Sequence, residues 1–543
     1  MTFFLLASGS LLALVPGITS VQNPASNIVT GLPNYGIASG SIFVIYGSQL
    51  GPSSLAQAQT LPFTTTLAGT SVKVIADSIS YDAPVIYTLS SQIAAIMPSG
   101  ARPGPATVTV TYNGFVGGAF STTIVANNFG ISTLNQSGNG GAVVTYPTSS
   151  FPFYGIVGPA NSAVPGNTYT IWGTGLGAAA NGNTDTNVSV FASVGPQVHV
   201  FVGGIDANVS YFGRSPGAGP GLDQINFTVP SGLTGCNVSL IVTTAGSPGT
   251  ISNSTTIPVA SGGGTCSDTF AIPASTWSPL LSLSGGANLS FFQIALVSAT
   301  TYQSNQPTTN TGSTVIADFR HYTESQLSSQ YSTAFAPAVS LGSCAITTTY
   351  PSNGSATPTL NYTALDAGQN VNFNSFSGAV YPLGKQPTGV YEIAASTFFG
   401  AGTYKMTDGA GGTGVGNIGQ VSMVIPTFPT WTNQSSFANA DVTRANGLTL
   451  TWSGGTAVDG SYMDIRGSAP FGITNKGTIA FECAAPVSAD QFTVPASILS
   501  LLPVTNVGTL QLSEYIQTLS TIPGMDLGVI SVVNTSSTTL NWN

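Results

Sequence analysis

Gly166-Asn167-Thr168-Tyr169-Thr170-Ile171-Trp172-Gly173-Thr174-Gly175-Leu176-Gly177 is the stretch that decides the fold. Glycines at 166, 173 and 177 frame a run rich in β-branched and aromatic side chains, the composition of a strand on a half-buried pleated surface. The same spacing occurs earlier, where Gly40, Gly47 and Gly51 frame Ser41-Ile42-Phe43-Val44-Ile45-Tyr46. A ladder that recurs about one domain apart indicates a duplicated unit. A phosphate-binding loop would need Gly-Lys-Ser/Thr entering a helix, and no Lys follows either ladder. The ladder glycines are therefore expected to supply turns and positive φ between strands.

Order extends the repeat. Gln92-Ile93 with Pro98-Ser99-Gly100 returns as Gln224-Ile225 with Pro230-Ser231-Gly232, and Ser121-Thr122-Thr123-Ile124 returns as Ser254-Thr255-Thr256-Ile257. The ladders are 126 residues apart and the Gln-Ile segments 132, so the second copy carries about six extra residues between them. Val72 and Val74 flank Lys73 in the first copy as Val198 and Val200 flank His199 in the second, each an alternating, half-buried strand. Each copy reads as a sandwich of about seven strands.

Composition agrees. A chain of 543 residues is too long for one core and implies roughly three or four domains. Charged residues make up 5% and Gly numbers 65, which suits sheet and loops better than amphipathic helices. Nine basic against eighteen acidic residues, with no basic cluster, argue against a nucleic-acid partner. The apolar run from Phe3 to Val15 before Pro16-Gly17 has the length of a signal-peptide core, so residues 1–17 are expected to direct export. No Lys or Arg precedes that run, which leaves the true start open, and a first buried strand is the other reading. No later stretch is long and apolar enough for a membrane span. Cys236, Cys266, Cys344 and Cys483 fit two nearest-neighbour disulfides in an exported chain, Cys236 with Cys266 and Cys344 with Cys483, four buried thiols being the alternative. No CxxC pair exists, and His199 and His321 are remote from any Cys, so no zinc site is expected.

Val164-Pro165-Gly166 through Gly177, with Pro220-Gly221-Leu222-Asp223-Gln224-Ile225-Asn226 and Val229-Pro230, resembles the IPT/TIG-type immunoglobulin-like domain, in the form common in secreted proteins of acidobacteria. The match covers residues 128 to 260 well. It is looser over 18 to 127, where Ser48-Gln49 stands for Thr174-Gly175 and Met97 for Val229. Leu365 to Gly368 and Phe492-Thr493-Val494-Pro495 resemble a region found beside such repeats, and no activity comes with the resemblance.

The expected architecture is all-β: tandem immunoglobulin-like β-sandwiches followed by a larger β-rich C-terminal region with little helix. Residues 18–127 form the first sandwich, 128–161 a connecting segment, 162–260 the second sandwich and 261–264 a flexible Ser-Gly-Gly-Gly linker. Residues 265–430 form a β-rich region with one short helix at Asp318 to Leu327, extended by Tyr331 and Phe335, and 431–543 a C-terminal sandwich-like domain. Leu448, Leu450 and Trp452 share one strand face, and Ala496 to Leu502 suits a helical turn.

Few residues carry candidate chemistry. Asp318, Arg320, His321 and Glu324 are the one cluster with acid, base and positioning groups, although local ion pairs on an exposed helix explain it as well. Asn181 to Asn187 spaces oxygen side chains as calcium loops do. Only Asp185 is a carboxylate there, and Ala192 stands where an EF-hand needs Glu, so a surface turn is the better reading. Asp366, Glu392, Asp459 and Asp464 are candidate glycosidase acids in the C-terminal half. Gly409 to Gly416 reads as a flexible loop. Among Trp172, Trp277, Trp431, Trp452 and Trp542, Trp431 sits in a loop-like Thr-Phe-Pro-Thr-Trp-Thr setting and is the candidate exposed ligand contact. The expected role is non-catalytic: a secreted or cell-surface protein for binding, adhesion or spacing, with no cofactor and with a glycan or surface protein as extracellular ligand. The alternative is a secreted carbohydrate-active protein with its site in the C-terminal region.

Overall fold

A computed structural model describes residues 15–543 except 152, 180–184, 188, 190–196, 245–249, 269–271, 273, 304–305, 331–338, 350–361, 397–398, 457, 459 and 473–476. The apolar leader up to Leu14 lies outside the described residues, and strand pairing is already under way at Gly17.

The first module is a two-sheet sandwich. The ladder strand Ile42–Ser48 lies between Gly17–Gln22 and Gln92–Ile96 in one sheet. Gly104–Tyr112 lies between Phe120–Val125 and Thr70–Ala76 in the other. Strict alternation in Thr70–Ala76 turns Val72, Val74 and Ala76 inward onto Phe43, Ile45 and Val108, and leaves Lys73 and Ile75 outside. The second module repeats the plan with one difference. Its strand Ile205–Arg214 pairs with Val198–Val202 through its first half and with Asp223–Thr228 through its second, so it belongs to both sheets. The equivalent chain in the first module is split into Ile79–Ala83 and Val85–Leu89 at Pro84, which has no N–H to continue a ladder.

The glycine ladders have a packing cause. A Cβ on Gly47 would collide with the carbonyl of Gly17, and one on Gly173 with the carbonyl of Gly130, because in both modules the opening strand crosses tightly over the ladder strand. Gly40 and Gly166, each at positive φ, make the turn that precedes it. The stretch 128–161, expected only to connect, contributes Gly130–Ile131, Val144–Pro147 and Tyr154–Ile156 to the second module's sheet.

The two ladders meet where the modules join. Arg214 and Asp223 form a fully buried ion pair there. Asp223 Oδ2 accepts from the backbone N–H groups of Gly175 (2.8 Å) and Leu176 (2.9 Å). Arg214 Nη2 donates to the carbonyls of Gly177 (2.7 Å) and, in the first module, Gly40 (2.6 Å). Asn23 Nδ2 donates to the carbonyls of Asn128 and Thr174, and Asn128 Nδ2 to those of Asn34 and Gly36. The extra residues of the second copy add to this joint, since Asp185 Oδ2 accepts from both the N–H and the hydroxyl of Ser99.

Ser261 to Gly264 is no free tether. Ser162 N–H bonds the Gly264 carbonyl, Cys266 N–H bonds that of Pro159, and the Cys236–Cys266 disulfide closes the segment onto strand Gly235–Thr244. The second disulfide, Cys344–Cys483, joins paired positions on strands Cys344–Thr349 and Gly477–Pro486. Both pairings are those the nearest-neighbour reading expects, and no cysteine is free.

Among the described residues the C-terminal half is organised by one 11-stranded sheet, whose strands come from both sides of the boundary expected at 430/431. Two long hairpins build its centre. Ala287–Gln303 pairs with Gln306–Tyr322, and Thr505–Ser520 pairs with the terminal strand Leu527–Trp542. Ala287–Gln303 and Leu527–Trp542 then run side by side in parallel, welding residues from both expected domains into one surface. One face of this sheet is covered by two small sheets. A four-stranded one containing Gly402–Thr407 packs on Phe292, Ile294 and Phe319. A three-stranded one containing Leu448–Ser453 packs on Ile465, Leu512 and Trp542. Gly409 to Gly416 is not a loose loop: the N–H groups of Gly414 and Val415 bond the Asp366 carbonyl, and a Cβ at Gly412 would strike the backbone of Ala367 and Gly368. The short helices Ala274–Leu281 and Glu324–Gln330 cap one end of the sheet's opposite, outer face.

Candidate functional site

The expectation of a helix through Asp318 is corrected. Asp318, Arg320 and Tyr322 lie on the strand Gln306–Tyr322, where period two puts all three on the outer face of the large sheet. Phe319 faces the core, and His321, also on that opposite side, meets Asn288 through Nδ1 at 2.8 Å. Glu324 opens the following helix. The fold thus unites Asp318 with Arg320 and separates both from His321, removing the base from the proposed acid-base set.

Around Asp318 and Arg320 the outer face forms a groove of about 340 Å³, walled by Phe291, Gln293, Tyr362, Tyr515, Gln517 and Ser531 among others. Arg320 is clamped between two rings, its guanidinium carbon 4.5 Å from the Phe291 centroid and 4.4 Å from that of Tyr362. Its Nε donates to Asp318 Oδ2 at 2.6 Å and its Nη1 to the Tyr322 hydroxyl at 3.1 Å. Burial works against the guanidinium charge, but the Asp318 carboxylate outweighs it and holds the Arg320 pKa above its ordinary value. Burial also raises the Tyr322 and Tyr515 phenols, so both stay protonated donors. Asp318 is 2% exposed, and its Oδ1 has no hydrogen-bond partner. The groove therefore offers a neutralised ion pair, carboxamides, a serine and aromatic edges, a set suited to an uncharged ligand rich in hydroxyl or amide groups.

Carboxylates elsewhere on this face do not make a hydrolytic pair across one cleft. Asp464 and Glu482 both bind Arg466, at 2.9 and 3.0 Å, and the guanidinium fills the space a water or sugar would need. Burial raises the Asp464 pKa, against the pull of Arg466. Asp464 is four strands from Asp318 and displaced along them, roughly 25 Å by strand spacing and rise. Glu392 is a diagonal neighbour of Asp318, but the groove wall opposite Asp318 is Val390, and Glu392 does not line the groove. Asp366 is tied to Lys385 at 2.6 Å, and hydrogen bonds from Lys385, Gly368 and Tyr391 hold its carboxyl well below the usual range. Asp459 lies outside the described residues.

The remaining candidates have structural employment. Trp431 is corrected from an exposed contact to a core residue: it is 6% exposed, packs against Phe437 at 6.0 Å and donates from Nε1 to Asn433. Trp277, Trp452 and Trp542 are buried too, and half-buried Trp172 bonds Thr145. Asn181 to Thr184 and Ala192 lie outside the described residues, and the Asp185 carboxylate is engaged by Ser99. His199 pairs with Asp206 across exposed strands, as Lys73 pairs with Asp82 in the first copy. Among the described residues no three His, Cys, Asp or Glu side chains converge on a metal position, and no helix is long and apolar enough to cross a membrane. The groove residues Phe291, Gln293, Tyr362 and Tyr515 were not singled out in the sequence. The available signal was the alternation of Val315, Ala317 and Phe319 with Ile316, Asp318 and Arg320, which marks a strand with one polar face.

No known family profile and no curated protein matches the sequence. Solved structures similar to parts of the chain include domains 5–6 of the S-layer protein SbsC, 14% identical over 45% of this chain and 98% of that one, with a TM-score of 0.16. A segment of titin is 9% identical over 76% of this chain and 99% of its own, with a TM-score of 0.12. Immunoglobulin domains 1–5 of Sidekick-1 are 9% identical over 97% and 99%, with a TM-score of 0.11. Likeness at this level carries no argument, and the immunoglobulin-like assignment stands on the strand order and sandwich cores described above.

Proposed function

We propose that this is a non-catalytic secreted or cell-surface protein in which two IPT/TIG-like modules form a stiff spacer and the C-terminal sheet offers its outer groove to an extracellular ligand, a glycan or a surface protein. The joint between the modules carries this reading. A buried Arg214–Asp223 pair, which holds the N–H groups of Gly175 and Leu176 and the Gly177 carbonyl in the second module and reaches the Gly40 carbonyl of the first, favours one orientation of the modules over a hinge. Two disulfides fit an oxidising compartment. With 5% charged residues the surface is suited to contacts through hydroxyls, carboxamides and aromatic rings. The groove chemistry points the same way, toward binding without a positioned base or nucleophile.

The test is a glycan and extracellular-matrix array probed with the full chain. Retention on a defined subset of uncharged glycans or on a matrix protein is the expected result. No retention on any element overturns the binding reading and leaves the spacer role alone.

A further inference from the structure

The second module carries an element that the first lacks. Among the described residues the corresponding sheet of the first module ends at Gly17–Gln22, whereas in the second the hairpin of Val144–Pro147 and Tyr154–Ile156 adds a further edge. The Phe153 carbonyl accepts from the Thr148 N–H and the Val157 N–H donates to the Val144 carbonyl, so by alternation the backbone groups of Tyr154 and Ile156 point to the open side. Edge strands commonly carry a Lys or another charge that repels a second strand. Here no charged residue or histidine stands anywhere from 103 to 184.

Apolar side chains gather along the same edge. Period two puts Tyr154 and Ile156 on the outer face of the sheet, away from the core residues Val144 and Val157. With Phe151 and Phe153 they are between 48% and 86% exposed, and the two phenyl rings meet edge to face at 6.0 Å. Phe153 has a φ of 65°, a left-handed conformation that glycine adopts freely and a bulky side chain resists. Local stability alone would favour glycine there, so a solvent-exposed ring held under strain points to a contact outside the monomer.

One kind of partner suits both the edge and the rings. Lipid would cover the rings but leave the backbone groups of Tyr154 and Ile156 without partners. A second copy satisfies them, because the edge is self-complementary. Antiparallel pairing about Gly155 sets Tyr154 opposite Ile156 of the second copy and the reverse, which makes about four backbone hydrogen bonds and places each Tyr ring beside a β-branched side chain. The three rings and Ile156 expose roughly 500 Å² per copy, so two copies bring together about 1,000 Å², the size at which specific interfaces begin. We infer that Tyr154–Ile156 is a dimerisation edge, where two copies of this chain join antiparallel and merge their second-module sheets across a two-fold axis at Gly155. This edge and the groove of the large sheet belong to different modules, and either can fail without the other.

Sedimentation velocity of the full chain from about 1 to 200 µM is expected to show a reversible monomer–dimer equilibrium with a micromolar Kd, as suits an interface of this size. Ile156→Lys, which places a charge on the edge, and Phe153→Gly, which removes a ring while relieving the left-handed strain, should each weaken dimerisation at least about tenfold. All four native cysteines are paired, so Tyr154→Cys and Ile156→Cys each introduce a single thiol at an exposed site. Oxidising a mixture of these two chains should cross-link one of each far more than two alike, the signature of a register centred on Gly155. A native chain that stays monomeric over the whole range, native-like dimerisation in both Ile156→Lys and Phe153→Gly, or cross-linking with no preference for the mixed pair would overturn the assignment. Co-sedimentation of a monomeric native chain with phosphatidylcholine vesicles would overturn it in favour of a lipid surface.

Discussion

Replacing Glu514 by Gln should convert a pH-dependent weakness at the centre of the large sheet into a pH-independent one. Glu514 stands on the covered face of strand Thr505–Ser520, between Leu512 and Ile516 and paired with Met463, at the seam of the two largest C-terminal cores. It is 1% exposed, and neither carboxyl oxygen has a well-formed hydrogen bond. Burial pushes its pKa from 4.5 up to about 7, with the Ser461 hydroxyl pulling weakly the other way. The folded pKa lies above the unfolded one, so the protein is unpenalised below pH 4.5 and loses stability as pH rises through 7. The full loss is roughly 3 kcal/mol, from about 1.4 kcal/mol for each unit. Gln cannot ionise, so Glu514→Gln should be near neutral or slightly destabilising at pH 4, where both side chains bury an unsatisfied polar group, and more stable than the native chain by up to roughly 3 kcal/mol at pH 8. Urea unfolding of both proteins across that range measures the difference directly, and contributions from other buried acids, such as Asp464, cancel in it. Parallel stability curves, or a difference that shrinks with rising pH, would refute the reasoning.

The joint gives a second expectation: Arg214→Met alone strands the buried Asp223 charge and should cost about 3 to 5 kcal/mol in chemical denaturation, whereas Arg214→Met with Asp223→Leu should recover most of the loss. Gly47→Ala and Gly173→Ala should both lower the unfolding midpoint sharply because their Cβ atoms meet backbone, while Gly262→Ala, with open space around it, should change it little. The Cys344–Cys483 disulfide spans 139 residues and Cys236–Cys266 spans 30, so by loop entropy alone removing the former should cost about 1 kcal/mol more than removing the latter, measured on the paired Ala variants.

The duplicated half was legible because its signals are local. A ladder glycine needed for close backbone approach, Val72–Val74 alternation and a Gln-Ile opening all occupy short windows, and the strands they predict pair with near neighbours. The C-terminal half hides its order in long-range pairing. Nothing near Leu527 announces that its strand will lie parallel to Ala287–Gln303, more than two hundred residues earlier, and that pairing is what joins two expected domains into one sheet. Asp318-Phe319-Arg320-His321 looked helical because charges are so scarce here that any cluster suggests an exposed helix. Its real signal was the period of two in its neighbours. The burial of Trp431 is hidden for a related reason: Pro429 and three threonines look like a loop, but the short strand Thr430–Trp431 pairs with Leu448–Ser453 and turns the indole inward. The groove itself draws on six separate segments, so no single window contains it.

The function proposed for the outer face of the large sheet is binding without turnover. The most direct measurement incubates the glycan best retained by the full chain with the native protein and with Tyr362→Ala, following both affinity and reaction products. Micromolar to millimolar retention by the native chain, a loss of at least about fivefold in Tyr362→Ala, where the ring clamping Arg320 is gone, and intact glycan throughout are the expected results. Release of a shortened glycan by the native chain, or affinity unchanged in the variant, would contradict it.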